Sequence, residues 1–600
     1  MVIPENVTES EYKDPSSRIQ HLVHVKRIRR IAAYTIAITA LLDLISALTP
    51  PLRHHLHKIR QFMPLGVSVT ASALVALSGL ALLFVARGVR RGQRQAWVVA
   101  VILLTFSTIA HIFKGFALAP ALISGGVLIF LLITRKSFSA KIDLPSLRNG
   151  IATLIFGGLI AILAGTVGIK TSAMIQNRRH QLVTPISWTD ALHATATRLV
   201  GLNGPVLPDT LNDFASTVLG TIGIGLALVA LALAFRPIVD RRLVHSTEHR
   251  GKAFDIVKRF GSGTLDYFAL RDDKRNYFYN DTLVAYAIYG GVCLVSPDPI
   301  GPEIEREAAW RTFLHFADEQ GWTVCVLAAS EQSLPLYNKT GLTTVYMGDE
   351  AVVDCKNFSL AGGNFKGLRQ AYNRIAKYGY TIEFHDPAKL DPIIKASLVE
   401  LMPKTRKGEA ERGFSMTLGR IFDLRDEGLL LAVARDPNQK PVAFCHFVPA
   451  IGINGFSLDS MRRDPDPTHP NGLIDFVLCA TIFHLKEQGF SALDLNFSTW
   501  RAVLAGESGP GNLEKGKRWI LKHLSSSMQI ESLWRFNSKY EPSWLPRYVA
   551  FENIEVALPA AIAIARAESF AELPLLGRFF AAKPPKESPD PTGPSNRGVG

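Results

Sequence analysis

The chain has 600 residues, too many for one hydrophobic core, because domains usually contain about 100–200 residues. Apolar residues make up 48% and charged residues 20%, which excludes a disordered chain, a collagen-like repeat and a small disulfide scaffold. The five cysteines form no CxxC pair, which predicts no metal site and a reducing compartment, and the net charge of +14 favours anionic partners such as phospholipid or nucleic acid.

The first 240 residues contain apolar segments, each near the roughly 20 residues that cross a bilayer. Six are found, at 31–49, 65–86, 96–113, 116–134, 150–169 and 214–235. A long polar stretch precedes the first segment and Pro50 and Pro51 follow it, so it is not predicted to be a cleaved signal peptide. We predict a cytoplasmic segment over 1–28 and a transmembrane domain of six helices over 29–240.

Basic residues cluster in alternate loops of this region. The clusters lie at 26–30, 87–94, 135–148 and 236–242. Because cytoplasmic loops carry an excess of Lys and Arg, the pattern predicts a multi-pass membrane protein with both termini in the cytoplasm. Asp43 and His111 fall inside apolar segments, where an ionisable group either has a transport role or pairs with a neighbouring helix.

After residue 240 the pattern changes to short apolar runs that alternate with amphipathic stretches. The runs at 283–295, 322–329, 429–435 and 441–451 predict buried strands, and 306–320 and 474–489 predict helices that end at glycine. Because this order occurs twice, we predict two copies of one α/β unit, over 241–380 and 381–560. Residues 561–600 are predicted to form a C-terminal helix and a disordered tail.

The segment FKGLRQAYNRIAKYGY (365–380) predicts an amphipathic helix that ends at Gly379. Lys366, Arg369 and Arg374 lie away from its apolar face. The pattern fits a solvated basic face and also a helix that contacts the phosphates of nucleic acid or of lipid headgroups.

Three further segments carry candidate site residues. FSLDSMRRDPDP (456–467) places Asp459 three residues before Arg462, a spacing that fits a structural ion pair or a site for an amine and a phosphate. ALDLNFSTW (492–500) contains Asn496 and Ser498 and leads into the glycine-rich loop 504–512, which lacks the Gly-Lys-Ser/Thr of a P-loop. LWRFNSKYEPSWLPRYVAF (533–551) interleaves aromatic residues with Arg535, Lys539 and Arg547, as in a base-stacking surface or a core edge.

Together, these segments resemble a known family. VSPDPIG, SLPLYNKTGL, KGLRQAYNRIAKYGY, LDSMRRDPD, GLIDFVLCATIFHLKEQGF, LDLNFS and RFNSKYEPSWLPRYVAF occur in the order found in phosphatidylglycerol lysyltransferases, the synthase domains of the multiple peptide resistance factor family. The resemblance covers about 260–552. It implies a tandem acetyltransferase-like (GNAT) fold on the cytoplasmic side of a bacterial plasma membrane. The expected fold class is therefore an α-helical membrane domain followed by an α/β cytosolic tandem GNAT fold.

The resemblance also implies an activity, namely transfer of an aminoacyl group, lysyl or alanyl, from aminoacyl-tRNA to phosphatidylglycerol. Such a change in lipid charge is expected to alter resistance to cationic antimicrobial peptides. No cofactor is expected, because the donor is already an activated ester. Matching positions imply that Asp459, Arg462 and Lys539 form the catalytic centre, with Asp475 as an orienting group or a carboxylate favoured by a helix N-terminus.

In this interpretation Asp459 holds the α-ammonium of the donor, while Arg462 and Lys539 neutralise the lipid phosphate or the oxyanion. The substrate-binding residues expected are Lys366, Arg369, Arg374, Asn496, Ser498, Arg535 and Arg547. The expected partners are aminoacyl-tRNA, phosphatidylglycerol and the bilayer, and the sequence leaves homo-oligomerisation open. The general base is also left open.

This sequence differs from the larger family members, since six apolar segments replace about fourteen spans and no lysyl-tRNA synthetase domain follows. Alternatives for the acceptor are diacylglycerol and a cell-wall precursor. A membrane-anchored CoA-dependent acyltransferase and a transporter with a regulatory domain are also considered, although no R/Q-x-x-G-x-G/A loop for CoA occurs in 240–560.

Overall fold

The structure is a computed structural model that describes residues 15–48, 65–113, 118–140, 144–180, 186–202, 204–207, 209–234, 247–406, 413–499 and 530–568. The chain divides into two compact units. The first contains residues 1–242 and 310–324, and the second contains 243–309 and 325–600. The basic cluster 236–242, the glycine-rich loop 504–512 and the predicted disordered tail lie outside the described residues.

The first unit is built from helices. They are α1 (Pro15–Leu48), α2 (Leu65–Arg90), α3 (Arg94–Phe113), α4 (Leu118–Ile133), α5 (Leu144–His180), α6 (Trp188–Leu199) and α7 (Asp209–Ala234). Each of the apolar segments predicted from the sequence overlaps one of these helices, and α6 is an additional short helix.

Only part of the multi-pass prediction is supported by helix length and composition. Among the described residues, Ile151–Met174 is long and apolar enough to cross a membrane, with 24 residues and a mean hydropathy of 2.2. Arg94–Ile109, Ala119–Ile133 and Ala215–Ala230 are apolar but shorter. The helices are therefore confirmed, while six crossings and the orientation of the termini stay predictions.

Asp43 and His111 pair with each other, which is the helix-pairing alternative considered for them. His111 Nε2 lies 2.8 Å from one carboxylate oxygen of Asp43, and the Ser107 hydroxyl donates to the other at 2.7 Å. All three side chains are buried between α1 and α3. The helix α2 also packs closely against α1 at this level, because a Cβ on Gly79 would lie 3.0 Å from the Asp43 Cβ.

From residue 247 onward the chain combines helices with an 11-stranded sheet, and all of these residues except 310–324 belong to the second unit. The helices are α8 (Thr247–Phe260), α9 (Glu303–Glu319), α10 (Leu334–Lys339), α11 (Lys366–Lys377), α12 (Pro392–Arg406), α13 (Leu473–Glu487), α14 (Ile530–Ser538) and α15 (Ala557–Ala567). The strands are β1 (Arg275–Tyr279), β2 (Thr282–Tyr289), β3 (Val292–Val295), β4 (Thr323–Ser330), β5 (Thr343–Asp354), β6 (Thr381–His385), β7 (Leu430–Arg435), β8 (Pro441–Ala450), β9 (Gly455–Arg463), β10 (Ala492–Thr499) and β11 (Ser543–Phe551).

These elements confirm the predicted strands and helices with one difference. The apolar run 283–295 forms a hairpin of β2 and β3 instead of a continuous strand. Gly290 and Gly291 form its turn with φ of 60° and 89°. Two successive positive φ values suit a tight hairpin turn, which glycine adopts without steric cost.

The order of the strands in the sheet is β1-β2-β3-β4-β11-β5-β10-β9-β8-β7-β6. Along the chain, β1 to β5 and β7 to β11 follow the same scheme: an antiparallel meander, a helix, and then two further strands. The last strand of each half pairs with a strand of the other half. β11 of the second half lies beside β4 of the first, and β5 of the first half lies beside β10 of the second. This exchange joins both halves into one sheet.

The parallel strands β9 and β10 separate partway along their length. They pair at Ala492 with Gly455, Leu493 with Phe456, and Asp494 with Ser457. Beyond this point β10 has a bulge between Asp494 and Phe497, where Asn496 adopts a φ of 75°. The bulge changes the direction in which the following side chains point. Functional groups can therefore project into the opening between the two strands.

Candidate active site

The buried carboxylate of Asp459 lies on β9, two residues beyond its last paired residue with β10. One of its oxygens accepts a hydrogen bond from the backbone N–H of Leu418, and the other lies 2.7 Å from His446 Nδ1. Asp459 is 6% exposed and His446 is fully buried on the neighbouring strand β8. Both carboxylate oxygens therefore have a partner inside the protein.

His446 was not recognised in the sequence as a site residue. It lies in the apolar run PVAFCHFVPAI, where a lone histidine carries no spacing signal. One general rule could have pointed to His446. A polar side chain inside a buried strand needs a hydrogen-bond partner. Asp459 becomes that partner because a register shift between His446 and Phe447 brings it across the β8–β9 pair.

Two polar atoms beside this pair lack a hydrogen-bond partner within the described part of the chain. They are His446 Nε2 and the Ser460 hydroxyl. His446 and Ser460 face each other in the register of β8 and β9. An unsatisfied buried polar atom costs about 1–3 kcal/mol, and a ligand or a water bonded to both atoms would remove that cost.

Arg462 is three residues further along β9, opposite Phe444 of β8. Its side chain is half-buried, and its Nη1 donates to the carbonyl of Met461 at 2.7 Å. The sequence motif therefore places Asp459 and Arg462 on one strand, but the recorded partner of the Asp459 carboxylate is histidine, not the arginine suggested by an ion-pair interpretation.

A strap formed by residues 413–418 covers this region. Asn496 Nδ2 donates to the carbonyls of Met416 and Leu458 at 3.0 and 2.9 Å. Glu568 accepts hydrogen bonds from both the backbone N–H and the hydroxyl of Ser415, and burial raises the pKa of the Glu568 carboxyl. Together with Leu418 these contacts fix the strap against the point where β9 and β10 diverge.

A second polar group forms at the start of α13. Lys539 Nζ lies 3.0 and 3.2 Å from the two oxygens of Asp475, and the Tyr540 hydroxyl donates to one of them at 2.8 Å. The Lys539 side chain is 44% exposed, whereas Tyr540 is buried. The structure thus brings Asp475 and Lys539 together, as the proposed orienting role of Asp475 requires.

β10 has contacts next to each of these two groups. Asn496 connects β10 to the strap and to β9, and two residues later the Ser498 hydroxyl accepts from Asn537 Nδ2 at 3.3 Å. Asn537 belongs to α14, directly before Lys539 and Tyr540. Asn496 and Ser498, which were expected to bind substrate, therefore both contact protein groups.

Arg547, which was expected to bind substrate, lies in a buried ionic cluster. Its Nη2 donates to Glu350 at 2.8 Å and to the Thr264 hydroxyl at 2.7 Å. Burial and the nearby Glu350 charge raise the pKa of Asp494, which faces the same cluster. Arg547 also lines a cleft of about 230 Å³, together with Asp298 and Arg306.

The basic helix α11 forms as predicted, with Leu368 and Ile375 buried and a positive φ at Gly379 beyond its end. Two of its predicted binding residues have partners within the protein. Arg369 donates to the carbonyls of Leu360 and Gly362, and Arg374 donates to that of Asn471. Lys366 is exposed on α11 and Arg535 is exposed on α14.

A larger cleft, of about 390 Å³, lies between α8, β1 and the segment 420–426. Its lining includes Arg250, Lys274, Arg420, Arg425 and Asp426. Lys274 is buried, its Nζ donates to the carbonyl of Ser296 at 2.8 Å, and it lies over the Phe414 ring of the strap. Burial lowers the pKa of this amine to about 7.

This lowered pKa predicts a pH dependence of stability. The ordinary pKa of lysine is 10.5, so between pH 7 and 10 the unfolded chain binds more protons at Lys274 and native stability rises with pH. Relative to Lys274→Met, the wild type should gain about 1.4 kcal/mol per pH unit from pH 7 to 9. Thermal unfolding in detergent at pH 7, 8 and 9 measures this, and a constant difference between the two proteins would contradict it.

No group of three or more His, Cys, Asp or Glu side chains within the described ranges is arranged to hold a metal ion. The five cysteines are buried and unbridged. The site therefore offers acid–base and charge-neutralising groups: a His–Asp pair, a Lys–Asp pair and an arginine.

Comparison with known proteins identifies relatives of both parts of the chain. Residues 254–551 match the family described as phosphatidylglycerol lysyltransferase, C-terminal, and residues 24–171 match the transmembrane region of lysyl-tRNA synthetase. The chain is 29% identical over 589 residues to the lysylphosphatidylglycerol biosynthesis bifunctional protein LysX of Mycobacterium ulcerans, covering 94% of this chain and 52% of that protein. LysX of Rhodococcus opacus is 29% identical over 573 residues, with 92% and 50% covered.

Solved structures of similar domains are also found. L-PGS from Bacillus licheniformis has 24% identity and a TM-score of 0.46, covering 53% of this chain and 96% of that one. The C-terminal domain of a putative lysylphosphatidylglycerol synthetase from Agrobacterium fabrum has 25% identity and a TM-score of 0.44, covering 53% and 95%.

The chain spans about half the length of the curated relatives that it matches. The resemblance predicted over about 260–552 is nevertheless confirmed, because the matched range is nearly the same. Residues 254–551 of the chain are therefore a domain that matches the C-terminal domain of the phosphatidylglycerol lysyltransferase family.

Proposed function

We propose that this protein transfers an aminoacyl group, lysyl or alanyl, from aminoacyl-tRNA to phosphatidylglycerol at the cytoplasmic face of a bacterial plasma membrane. The observation that carries the proposal is the family match over 254–551 behind an N-terminal transmembrane region. The relatives named for lysylphosphatidylglycerol biosynthesis support the lipid acceptor.

The fold supports a group-transfer enzyme with two acetyltransferase-like lobes, 241–380 and 381–560. Each lobe would contain one of the repeated strand schemes, with the last strands exchanged. The divergence of β9 and β10 beyond Asp494 opens the sheet in the second lobe, next to Asp459 and the strap. We place the reaction at this opening.

The reaction exchanges one ester for another. A glycerol hydroxyl of the lipid attacks the carbonyl carbon of the aminoacyl ester, and the ribose hydroxyl of tRNA leaves. The protein must neutralise the lipid phosphate and the oxyanion formed at the carbonyl. Arg462 and Lys539 are the cations assigned to these tasks, and Asp475 and Tyr540 hold Lys539 in place.

Asp459 receives a different role in this proposal from the one suggested by its motif. Both of its oxygens accept hydrogen bonds within the protein, from Leu418 and from His446. With 6% of its surface exposed, it is poorly placed to hold a donor ammonium. We therefore assign Asp459 to positioning His446 and the strap.

The membrane region fits the insolubility of the acceptor. Tethering the site next to the bilayer converts a three-dimensional search for lipid into a local encounter. Adding a lysyl or alanyl group to an anionic headgroup makes it cationic or zwitterionic, which lowers the surface potential that attracts cationic peptides.

The test incubates membranes that contain the full-length protein with tRNA charged with labelled lysine or alanine, followed by lipid extraction. Label should appear in a phosphatidylglycerol derivative, and membranes without the protein, or with free labelled amino acid, should yield none. Adding vesicles of phosphatidylglycerol or of diacylglycerol in parallel distinguishes the acceptors.

Three results would contradict the proposal. One is label confined to a cell-wall precursor, another is label in diacylglycerol alone, and the third is lipid modification from labelled acetyl-CoA but not from charged tRNA.

A further inference from the structure

We propose that His446 is the general base that takes the proton from the attacking lipid hydroxyl. This inference rests on the proposed lipid aminoacylation and names the group that performs its proton transfer. Neither the motifs of the sequence nor the comparisons point to this residue, which lies in the middle of the apolar strand β8.

The contact with Asp459 determines which nitrogen of His446 is basic. The carboxylate lies 2.7 Å from Nδ1 and accepts a hydrogen bond from it. In a neutral imidazole the proton then resides on Nδ1, and Nε2 carries the lone pair. A buried carboxylate that fixes this tautomer also stabilises the imidazolium formed when Nε2 takes a proton.

The surroundings of Nε2 mark a position for a hydroxyl group. Nε2 has no hydrogen-bond partner within the described part of the chain, and the same holds for the Ser460 hydroxyl. The two residues face each other across β8 and β9. Side chains in such positions have Cβ atoms about 4.5–5.5 Å apart, so one substrate hydroxyl could contact both.

Access to this position involves the strap. His446 is fully buried, and the strap is tied to the same carboxylate through the Leu418 N–H. The strap continues through Arg420 to Asp426, and both residues line the 390 Å³ cleft. This proposal requires the strap to move at Leu418, so that a lipid hydroxyl can reach Nε2.

The step balances in atoms and protons. Nε2 takes the hydroxyl proton as the lipid oxygen forms its bond to the ester carbonyl carbon. When the tetrahedral intermediate collapses, the bond to the ribose oxygen breaks, and the imidazolium returns the proton to that oxygen. The histidine ends neutral, and no oxidant, reductant or other reactant is required.

Other titratable groups around His446 are few. From β9, Asp459 stabilises the imidazolium and Arg462 opposes it. In the segment that follows the strap, Asp426 accepts hydrogen bonds from the Tyr267 hydroxyl and from Arg420. β7 and α12 contribute apolar side chains, including Leu431, Leu398 and Leu401. We therefore assign the proton transfer of the chemical step to His446.

The experiment measures single-turnover transfer of label from charged tRNA to phosphatidylglycerol vesicles between pH 5.5 and 8.5, using the full-length protein. The wild-type rate should rise about tenfold per pH unit at low pH and then level off. His446→Gln should lower the plateau about 100-fold or more and leave a flat profile. His484→Gln, a matched change at a histidine stacked on Phe384, should keep the wild-type profile.

Further measurements separate a catalytic from a structural role. His446→Gln should keep the wild-type midpoint of thermal unfolding and the wild-type affinity for tRNA. Added imidazole should restore part of the transfer rate that is lost in His446→Ala. A wild-type rate that does not change with pH, or a His446→Gln rate within threefold of wild type, would overturn the assignment. If the wild type itself transfers no label to lipid, the proposed function fails together with this step.

Discussion

Replacing Lys539 by methionine should lower the rate of lipid aminoacylation about 100-fold or more, while the protein stays folded. The Nζ atom lies 3.0 Å from Asp475 and above the Phe536 ring, and the side chain is 44% exposed. Methionine keeps an unbranched stem against that ring and removes only the charge. The loss should therefore fall on stabilisation of the lipid phosphate or the oxyanion, not on folding.

Single-turnover transfer at saturating and subsaturating phosphatidylglycerol measures which of these two anions Lys539 neutralises. A rise in KM alone would indicate the lipid phosphate, and a fall in kcat the oxyanion. Lys440→Met, at an exposed lysine in the turn between β7 and β8, is the matched control and should have no effect. Activity of Lys539→Met within threefold of wild type would remove Lys539 from the site.

Local patterns were sufficient to predict much of this fold. Apolar runs and glycine stops located the helices α1 to α5 and α7 of the first unit, the strands β4, β7 and β8, and the helices α9 and α13. The amphipathic pattern of α11 also identified its buried residues, Leu368 and Ile375. These features depend on neighbours within one or two turns of the chain, which periodicity reports directly.

The features that the sequence did not reveal depend on pairings between distant residues. β11 enters the sheet between β4 and β5, whose paired residues lie 191 to 226 positions earlier along the chain. The basic residues of α11 were placed on the correct face, but their acceptors, the carbonyls of Leu360 and Asn471, come from other segments. Periodicity could therefore not distinguish a helix that binds phosphate from one whose arginines hold neighbouring loops.

The candidate site illustrates the same limit. The motif LDSMRR identified Asp459, but its partner is thirteen residues earlier, across a hairpin with a register shift. Within β8 the histidine lies among apolar residues, at a position that any buried side chain could occupy. Its importance follows from the unpaired Nε2, which becomes visible only in three dimensions.

The second large effect is expected on stability. Arg547→Ala should destabilise the second unit by about 3–5 kcal/mol, because the fully buried Glu350 would lose its cationic partner. Asp494 faces the same cluster, and burial together with the charge of Glu350 already raises the pKa of its carboxyl. Removing the guanidinium therefore leaves two buried carboxyl groups that repel each other if both ionise.

Thermal unfolding of the full-length protein in detergent provides the measurement, with an expected decrease in midpoint of roughly 6–20 °C. Arg425→Ala is the matched control, because Arg425 is 46% exposed and its pairs with Asp272 and Asp423 lie at the surface, where such pairs contribute about 0–1 kcal/mol. Combining Arg547→Ala with Glu350→Gln should recover part of the loss, since the amide carries no buried charge. Equal midpoints for Arg547→Ala and Arg425→Ala would show that the guanidinium of Arg547 is not a structural counter-ion and would return it to the set of substrate-binding residues.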